Sequence, residues 1–500
     1  MDYTSIPDPV LAVLDTLRRN GYQGHIVGGC VRDLFLGREP KDWDVTTDAR
    51  PEKVLALFPD SFCENDFGTV GVKVEPFQRE GRPGREHDII EVTTYRTEST
   101  YSDRRRPDQV SFVTSLTEDL SRRDFTMNAI ALEISAPRPD GSREMTIIDP
   151  FHGQEDLRRH LIRTVGHPEQ RFGEDALRMM RAIRLFSELR KPESEWSIDE
   201  PALSAIRKHA GFLSHVSRER VRDEFSRIIL SDNPADGIEL LRTTGLLHDI
   251  LPELETGVGV RQNLHHRYEI YDHNLRSIRH CPSPKLEVRL AALLHDVGKP
   301  DTKRGNGYHS TFHGHEHVGA RITKRALQRL RYDSTTIERA SSLVDQHMFY
   351  YNVGEVTETS VRRLIRRVGL ENMKDLIDLR IADRLGSGVP KAKPYKLRHL
   401  EYMVEKVSQD PISVKMLAIN GNDLIKEASM EPGPKIGAVL DVILSEVIED
   451  PKKNERAPLL IRAKELSRED IGTLRERAKE VIEEKKVEDD KNIKNRHRVS

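Results

Sequence analysis

The chain has 500 residues, a formal net charge of −2, 32% charged residues and a mean hydropathy of −0.60. That length admits several domains and a large core; the charge balance excludes a globally basic nucleic-acid binder, and the polarity argues against a membrane-embedded protein. Three widely spaced cysteines, Cys30, Cys63 and Cys281, argue against a disulfide framework or a zinc ribbon.

The opening MDYTSIPDPV lacks the basic and apolar regions of a secretory signal, and no apolar run approaches bilayer length. The expected setting is the reducing cytoplasm, with no membrane partner. The first motif is GGCVRDLFLGREPKDWDV, residues 28–45. The apolar run 25–27 reads as a strand and 30–36 as a helix that Gly37 stops, so Gly28 and Gly29 fall at a strand-to-helix turn. Glycine's missing side chain lets a phosphate approach the backbone N–H groups of such a turn. Residues 42–45 read as the next strand. Alternation then aims Asp42 and Asp44 the same way, roughly 7 Å apart between Cα atoms. Two Mg²⁺ ions held roughly 3.5–4 Å apart would relieve their repulsion, activate a hydroxyl and clamp a triphosphate. An isolated Asp-x-Asp is usually a pair of solvated acids; the glycine turn upstream favours the metal reading.

Further along, a helix is expected over 51–57 and strands over 69–74, 88–95 and 110–112. The fold class is therefore an α/β N-terminal domain followed, from about Glu155, by nearly uninterrupted helix. Breaks are expected at KPESEWSIDEP, near residues 257–266 and at GSGVPKAKPY. The basic clusters Arg104-Arg105-Arg106, Arg122-Arg123, Arg178 to Arg190 and Arg362 to Arg367 read, taken singly, as solvated faces.

Four more stretches follow in order: DIIEVTTYRTE (88–98), RRDFTMNAIAL (122–132), DPFHGQEDL (149–157) and RFGEDALRMMRAIRL (171–185). Asp175 and Arg178 are three apart on an expected helix, which sets a carboxylate acceptor beside a guanidinium donor. Cytosine and adenine each show an amino donor beside a ring-nitrogen acceptor and complement that pair; uracil and guanine do not. Glu174 is placed to hold the arginine.

Together these motifs resemble the class II tRNA nucleotidyltransferase and bacterial poly(A) polymerase family. The resemblance implies a polymerase-beta-like palm with helical neck and body, adding nucleotides to an RNA 3′ end without a nucleic-acid template. It implies Asp42 and Asp44 as Mg²⁺ ligands with Glu91 as a supporting carboxylate. Gly28, Gly29, Arg32, Asp33, Arg123, Asp124, Asn128, Glu174, Asp175, Arg178 and Arg181 are implied around the nucleotide, with Asp124 accepting the ribose 2′-OH. The mobile loop is expected within RTESTYSDRRRPDQV.

A second constellation comprises His273, adjacent His295 and Asp296 in LLHDVGKP, His315, His347 and Asp383. Such imidazoles and carboxylates suit one or two divalent metals with open positions for water. They resemble an HD-type phosphohydrolase domain, whose metal could be Mn²⁺, Ni²⁺, Mg²⁺ or Fe²⁺. The resulting division is a head at 1–154, neck and body at 155–260, an HD segment at 265–385, a helical RNA-gripping segment at 396–480 and a charged tail at 481–500. The expected function is full or partial CCA addition to a tRNA 3′ end from CTP and ATP. Poly(A) polymerase, or a phosphohydrolase acting on RNA ends or nucleotides, are the alternatives. Oligomeric state is not legible.

Overall fold

The computed structural model describes residues 3–63, 68–77, 87–99, 109–191, 193–263, 267–388, 393–408, 414 and 417–499. The chain forms two compact units, Met1–Asp345 and Gln346–Ser500. In the first, α1 (Asp8–Arg19) buries Val10, Val13, Leu14 and Leu17, apolar positions at helical spacing. There follow β1 (Gly24–Val27), α2 (Gly29–Phe35), β2 (Trp43–Thr47), α3 (Pro51–Leu57), β3 (Ser61–Cys63), β4 (Thr69–Val74) and β5 (Asp88–Thr94). β6 (Arg96–Ser99), β7 (Gln109–Phe112), α4 (Leu116–Ser121), β8 (Ala131–Ile134) and β9 (Met145–Ile148) complete the head.

Seven of these strands form one sheet in the order β3-β4-β5-β2-β1-β8-β9. β2 and β5 run parallel, and the other neighbours are antiparallel. β6 and β7 make a separate antiparallel ribbon. Most of the expected mobile loop, including Arg104 to Arg106, lies outside the described residues. β2 begins at Trp43, so Asp42 stands just ahead of the strand rather than within it. Trp43 and Val45 are buried in the core, which turns Asp44 to the opposite face.

α5 (Gly153–Arg158) packs on the 122–132 segment so closely that a Cβ on Gly153 would stand 2.2 Å from the Thr126 carbonyl oxygen. Asp149 closes that turn by accepting the Gly153 and Gln154 N–H groups at 2.7 and 2.9 Å. α6 (Pro168–Glu174) and α7 (Leu177–Leu189) begin the helical remainder. Its one further pair of strands is Leu161–Ile162 beside Ser197–Ile198 among the described residues.

The second unit is built from helices including Glu358–Val368, Met373–Gly386, Tyr395–Ser408, Pro434–Glu449, Arg456–Leu466 and Ile471–His497. Leu424, Val439, Val442, Ile443, Ala463 and Leu474 form its core. The segment expected at 265–385 is divided between the two units. The expected charged tail is instead the second half of a 27-residue helix, Ile471–His497, with Leu474, Ala478 and Ile493 buried. Ile471 and Ile482 pack against the same core as Leu474 and Ala478. Gly421 and Asn422 open the helix Gly421–Lys426, which Asn420 and Asp423 cap reciprocally. Among the described residues no helix is long and apolar enough to cross a membrane. All three cysteines are reduced; Cys30 and Cys281 are buried and Cys63 is exposed.

Candidate functional site

Register fixes the acids. Val27 of β1 lies opposite Asp44 of β2, and Asp44 lies opposite Glu91 of β5. Side chains in register on neighbouring strands share a face, so Asp44 and Glu91 stand side by side, with Asp42 two positions earlier. The chain leaves β1 through Gly28 at φ +86°, in the region that favours glycine. A Cβ there would stand 2.8 Å from Asp44 Oδ2 and 3.3 Å from Arg123 Nη1. Glycine, acid and arginine thus converge, leaving a cradle that any other side chain would fill. Gly29 is the first residue of α2.

Arg123 is held by a residue the sequence reading did not single out. Asp119, inaccessible to solvent, lies 3.6 Å from Arg123 Nη2 and accepts Arg122 Nε at 3.0 Å and Thr46 Oγ1 at 3.0 Å. Burial pushes its pKa up, but Arg122 and Arg123, with hydrogen bonds from Arg122 and Thr46, outweigh this and hold it below the ordinary 3.8. Its spacing, three and four residues before the arginines, was a legible signal.

Side chains from three motifs form one continuous chain. Arg32 donates to Asp33 Oδ1 at 2.9 and 2.8 Å and to Asn128 Oδ1 at 3.1 Å. Asn128 donates to Asp124 Oδ1 at 3.3 Å, and Asp124 Oδ2 lies 3.0 Å from Arg181 of α7. Burial raises the Asp124 pKa, yet Arg181 and Arg178 leave it below the usual range, so it stays an anion and an acceptor.

The expected helix face at Asp175 and Arg178 is corrected. Asp175 is extended (φ −136°, ψ 107°) in a break between α6 and α7, and only Arg178 is helical. The break arises because the Asp175 carboxylate accepts the Leu177 N–H at 3.0 Å, a local bond that competes with continuing the helix. Arg178 is nonetheless gripped by Glu174 at 2.7 Å, as the spacing implied. Asp175 is held from outside the motif, by Arg220 Nη2 at 2.8 Å. Nothing local in the three arginines of residues 218–222 distinguishes Arg220; packing over 45 residues of sequence selects it.

Comparison with known proteins places the chain in a family. Residues 24–163 match the family model of the Poly A polymerase head domain, and 317–463 that of tRNA nucleotidyltransferase domain 2. The CCA-adding enzyme of Geobacillus kaustophilus is 33% identical over 454 residues, 90% of this chain and 94% of the relative. That of Limosilactobacillus reuteri is 32% identical, over 93% of this chain and 98% of the relative. This chain belongs to the CCA-adding enzyme family. Among solved structures, the Bacillus stearothermophilus CCA-adding enzyme in complex with CTP aligns with a TM-score of 0.55 and 29% identity. The alignment covers 92% of this chain and 97% of that one. A tRNA nucleotidyltransferase complexed with a primer tRNA and an ATP analogue shares the fold, with a TM-score of 0.50 and 20% identity.

This family member also carries a buried histidine cluster in its first unit. His273, on the helix Ile270–Arg279, brings Nε2 to 3.0 Å from His295 Nε2 and 3.3 Å from Asp296 Oδ2. His315 Nε2 lies 3.3 Å from Asp296 Oδ1. The Nδ1 atoms of His295 and His315 lie 3.0 and 2.7 Å from the carbonyl oxygens of Ala292 and Phe312. Donation of Nδ1–H to those carbonyls fixes each ring and leaves Nε2 as the ligand atom. Gly298 permits the fold here, since a Cβ on it would stand 2.3 Å from the His315 carbonyl oxygen. Lys299, three residues after Asp296, reaches Asp296 Oδ2 at 2.6 Å and was also overlooked in the sequence. Burial raises the Asp296 pKa, but Lys299, His295 and the His315 hydrogen bond hold it well below the ordinary value. Of the other two expected ligands, His347 and Asp383 belong to the second unit, where Asp383 pairs with Arg380 at 3.2 Å.

Proposed function

We propose that this protein adds C and A nucleotides to the 3′ end of tRNA from CTP and ATP, without a nucleic-acid template, in the cytoplasm. The observation that carries the reading is the convergence of Gly28, Asp44 and Arg123, with the motif chain running from Arg32 to Arg181. Asp42, Asp44 and Glu91 form an all-oxygen donor set that fits Mg²⁺, which when bound neutralises triphosphate charge and makes the RNA 3′-hydroxyl a better nucleophile. The chain's own residues supply the rest. Gly28 leaves room for phosphate, Arg123 draws the triphosphate in, Asp124 accepts the ribose 2′-OH, and pyrophosphate leaves in line. Asp175 and Arg178 read the base edge, steadied by Arg220 and Glu174. We read residues 1–154 as the head that carries this chemistry and 155–260 as the neck and body that read the base. The test is incorporation by purified protein on tRNA lacking its last three nucleotides, with each NTP supplied separately. Long runs of A on any RNA would identify a poly(A) polymerase instead.

Asp175→Ala is expected to relax base choice more than it weakens nucleotide binding, because phosphate contacts remain. UTP and GTP should gain roughly tenfold relative to CTP and ATP in a four-nucleotide competition, about 1.4 kcal/mol of lost discrimination. Unchanged selectivity would place base reading elsewhere.

The histidine cluster favours a second activity: hydrolysis of phosphate esters such as 2′,3′-cyclic RNA ends. His273, His295, Asp296 and His315 would hold a divalent cation there, which when bound activates water. His295→Ala should remove hydrolysis, assayed with Mn²⁺, Ni²⁺, Mg²⁺ and Fe²⁺ in turn, while leaving CTP and ATP addition nearly intact. Absence of hydrolysis in the parent with every metal would reduce the cluster to a structural element.

A further inference from the structure

The second unit carries a surface that the chemistry at Asp42 and Asp44 does not use. In the helix Glu358–Val368 the apolar Val361, Leu364 and Val368 are buried, leaving Arg362, Arg363, Arg366 and Arg367 exposed. Arg362 pairs with Glu358 at 3.3 Å. Among the described residues, Arg363, Arg366 and Arg367 have no hydrogen-bond or ion-pair partner.

These three guanidinium groups line a cleft of about 640 Å³ together with Phe349, Tyr350 and Tyr351. Tyr350 is 70% exposed and Met348, also on the cleft, 56%. A second cleft of about 420 Å³ shares Phe349 and Tyr351 and adds Tyr395, Arg380, Arg384 and Lys396. Arg380 already stacks over the Phe349 ring, 5.1 Å from its centroid. Among the described residues that line either cleft, Glu355 is the one acid, and it accepts hydrogen bonds from Tyr350 and Asn352. The surface is thus strongly cationic and concave, with one exposed aromatic ring, Tyr350, and the half-buried rings of Phe349, Tyr351 and Tyr395.

We propose that this surface binds an unpaired stretch of the RNA substrate, with phosphates on Arg363, Arg366 and Arg367 and a base stacked on Tyr350. Guanidinium forks match phosphate oxygens, and aromatic faces accept any unstacked base. A duplex, recognised mainly through its backbone and 2′-hydroxyls, has no use for the tyrosines. A lipid surface would need an exposed apolar helix face, and this helix has already buried its own. The proposal rests on the reading of the chain as a tRNA-processing enzyme and places part of RNA recognition at residues 348–396, ahead of the segment at 396–480 expected to grip RNA.

The experiment uses the full chain and tRNA lacking its terminal three nucleotides, with binding followed by fluorescence anisotropy over a salt series. The triple variant Arg363→Gln, Arg366→Gln, Arg367→Gln should bind about tenfold more weakly. It should also lower the slope of log affinity against log salt by about 2, roughly 0.7 for each lost single-strand phosphate contact. Tyr350→Ala should weaken binding about fivefold or more with the slope unchanged, as expected for stacking. Both should raise KM for tRNA and leave kcat unchanged. Variants with the parent's affinity and salt slope would overturn the surface while leaving the transferase reading standing. An inactive parent would overturn that reading alone, because the binding series still decides the surface. Loss of binding to phosphatidylserine vesicles with tRNA binding intact would identify a membrane site and overturn the RNA proposal.

Discussion

Asp44→Ala and Asp42→Ala are each expected to reduce nucleotide incorporation by a thousandfold or more. Removing one carboxylate takes away a metal ligand from a site where metals offset triphosphate charge, a contribution of several kcal/mol, and each 1.36 kcal/mol is tenfold in rate. Asp44→Asn should lose nearly as much, because it keeps the shape and removes the charge. Folding should survive: Asp42 is exposed, and Asp44 is only half-buried beside the open cradle at Gly28. Single-turnover incorporation of CTP, with thermal unfolding as control, separates the two effects. Incorporation at the parent's rate by either alanine variant would end the metal assignment.

Asp119→Ala should strike stability and catalysis together. The carboxylate has no solvent access and faces Arg122 and Arg123. Removing one partner of a buried pair leaves uncompensated charge, at about 3–5 kcal/mol. It also frees Arg123, whose Nη1 would stand 3.3 Å from a Cβ placed on Gly28, so incorporation should fall even in the fraction that stays folded. Denaturant titration reads the first effect and KM for CTP the second; a stability change below about 1 kcal/mol would contradict the buried pairing. The acid dependence has a definite sign. The folded pKa lies below the ordinary 3.8, so the contribution is complete at neutral pH and is lost as pH falls below 3.8 and through the folded value. Asp119→Asn should therefore show a flatter loss of stability than the parent in that acid window.

The sheet domain was legible because its strands carry strong local signals: Trp43 and Val45 go inward, so Asp44 must go outward. The helical remainder was legible for the same reason, from unbroken 3.6-residue periodicity. That periodicity concealed the break at Asp175, since apolar spacing continues across a residue whose own carboxylate ends one helix and starts the next. The residues that steady the site were less visible. Thr46 and Asp119 are 73 positions apart, and Asp175 and Arg220 are 45 apart, so only the folded chain sets them together. The terminal helix was misread as a tail because charge dominated its composition, whereas its placement depends on a few buried contacts such as Leu474 and Ile493.

The three thiols differ enough to be told apart by reagents. Cys30 is buried with Sγ 3.1 Å from the Val27 carbonyl oxygen, and burial, with Asp44 nearby, pushes its pKa up to about 12. Cys281 is buried as well, while Cys63 is exposed at the end of β3, the edge strand of the sheet that bears the acids. A maleimide or spin label at neutral pH should attach to Cys63 in preference to the other two. The native sequence therefore supplies a single spectroscopic handle on the head, with no cysteine to add or remove.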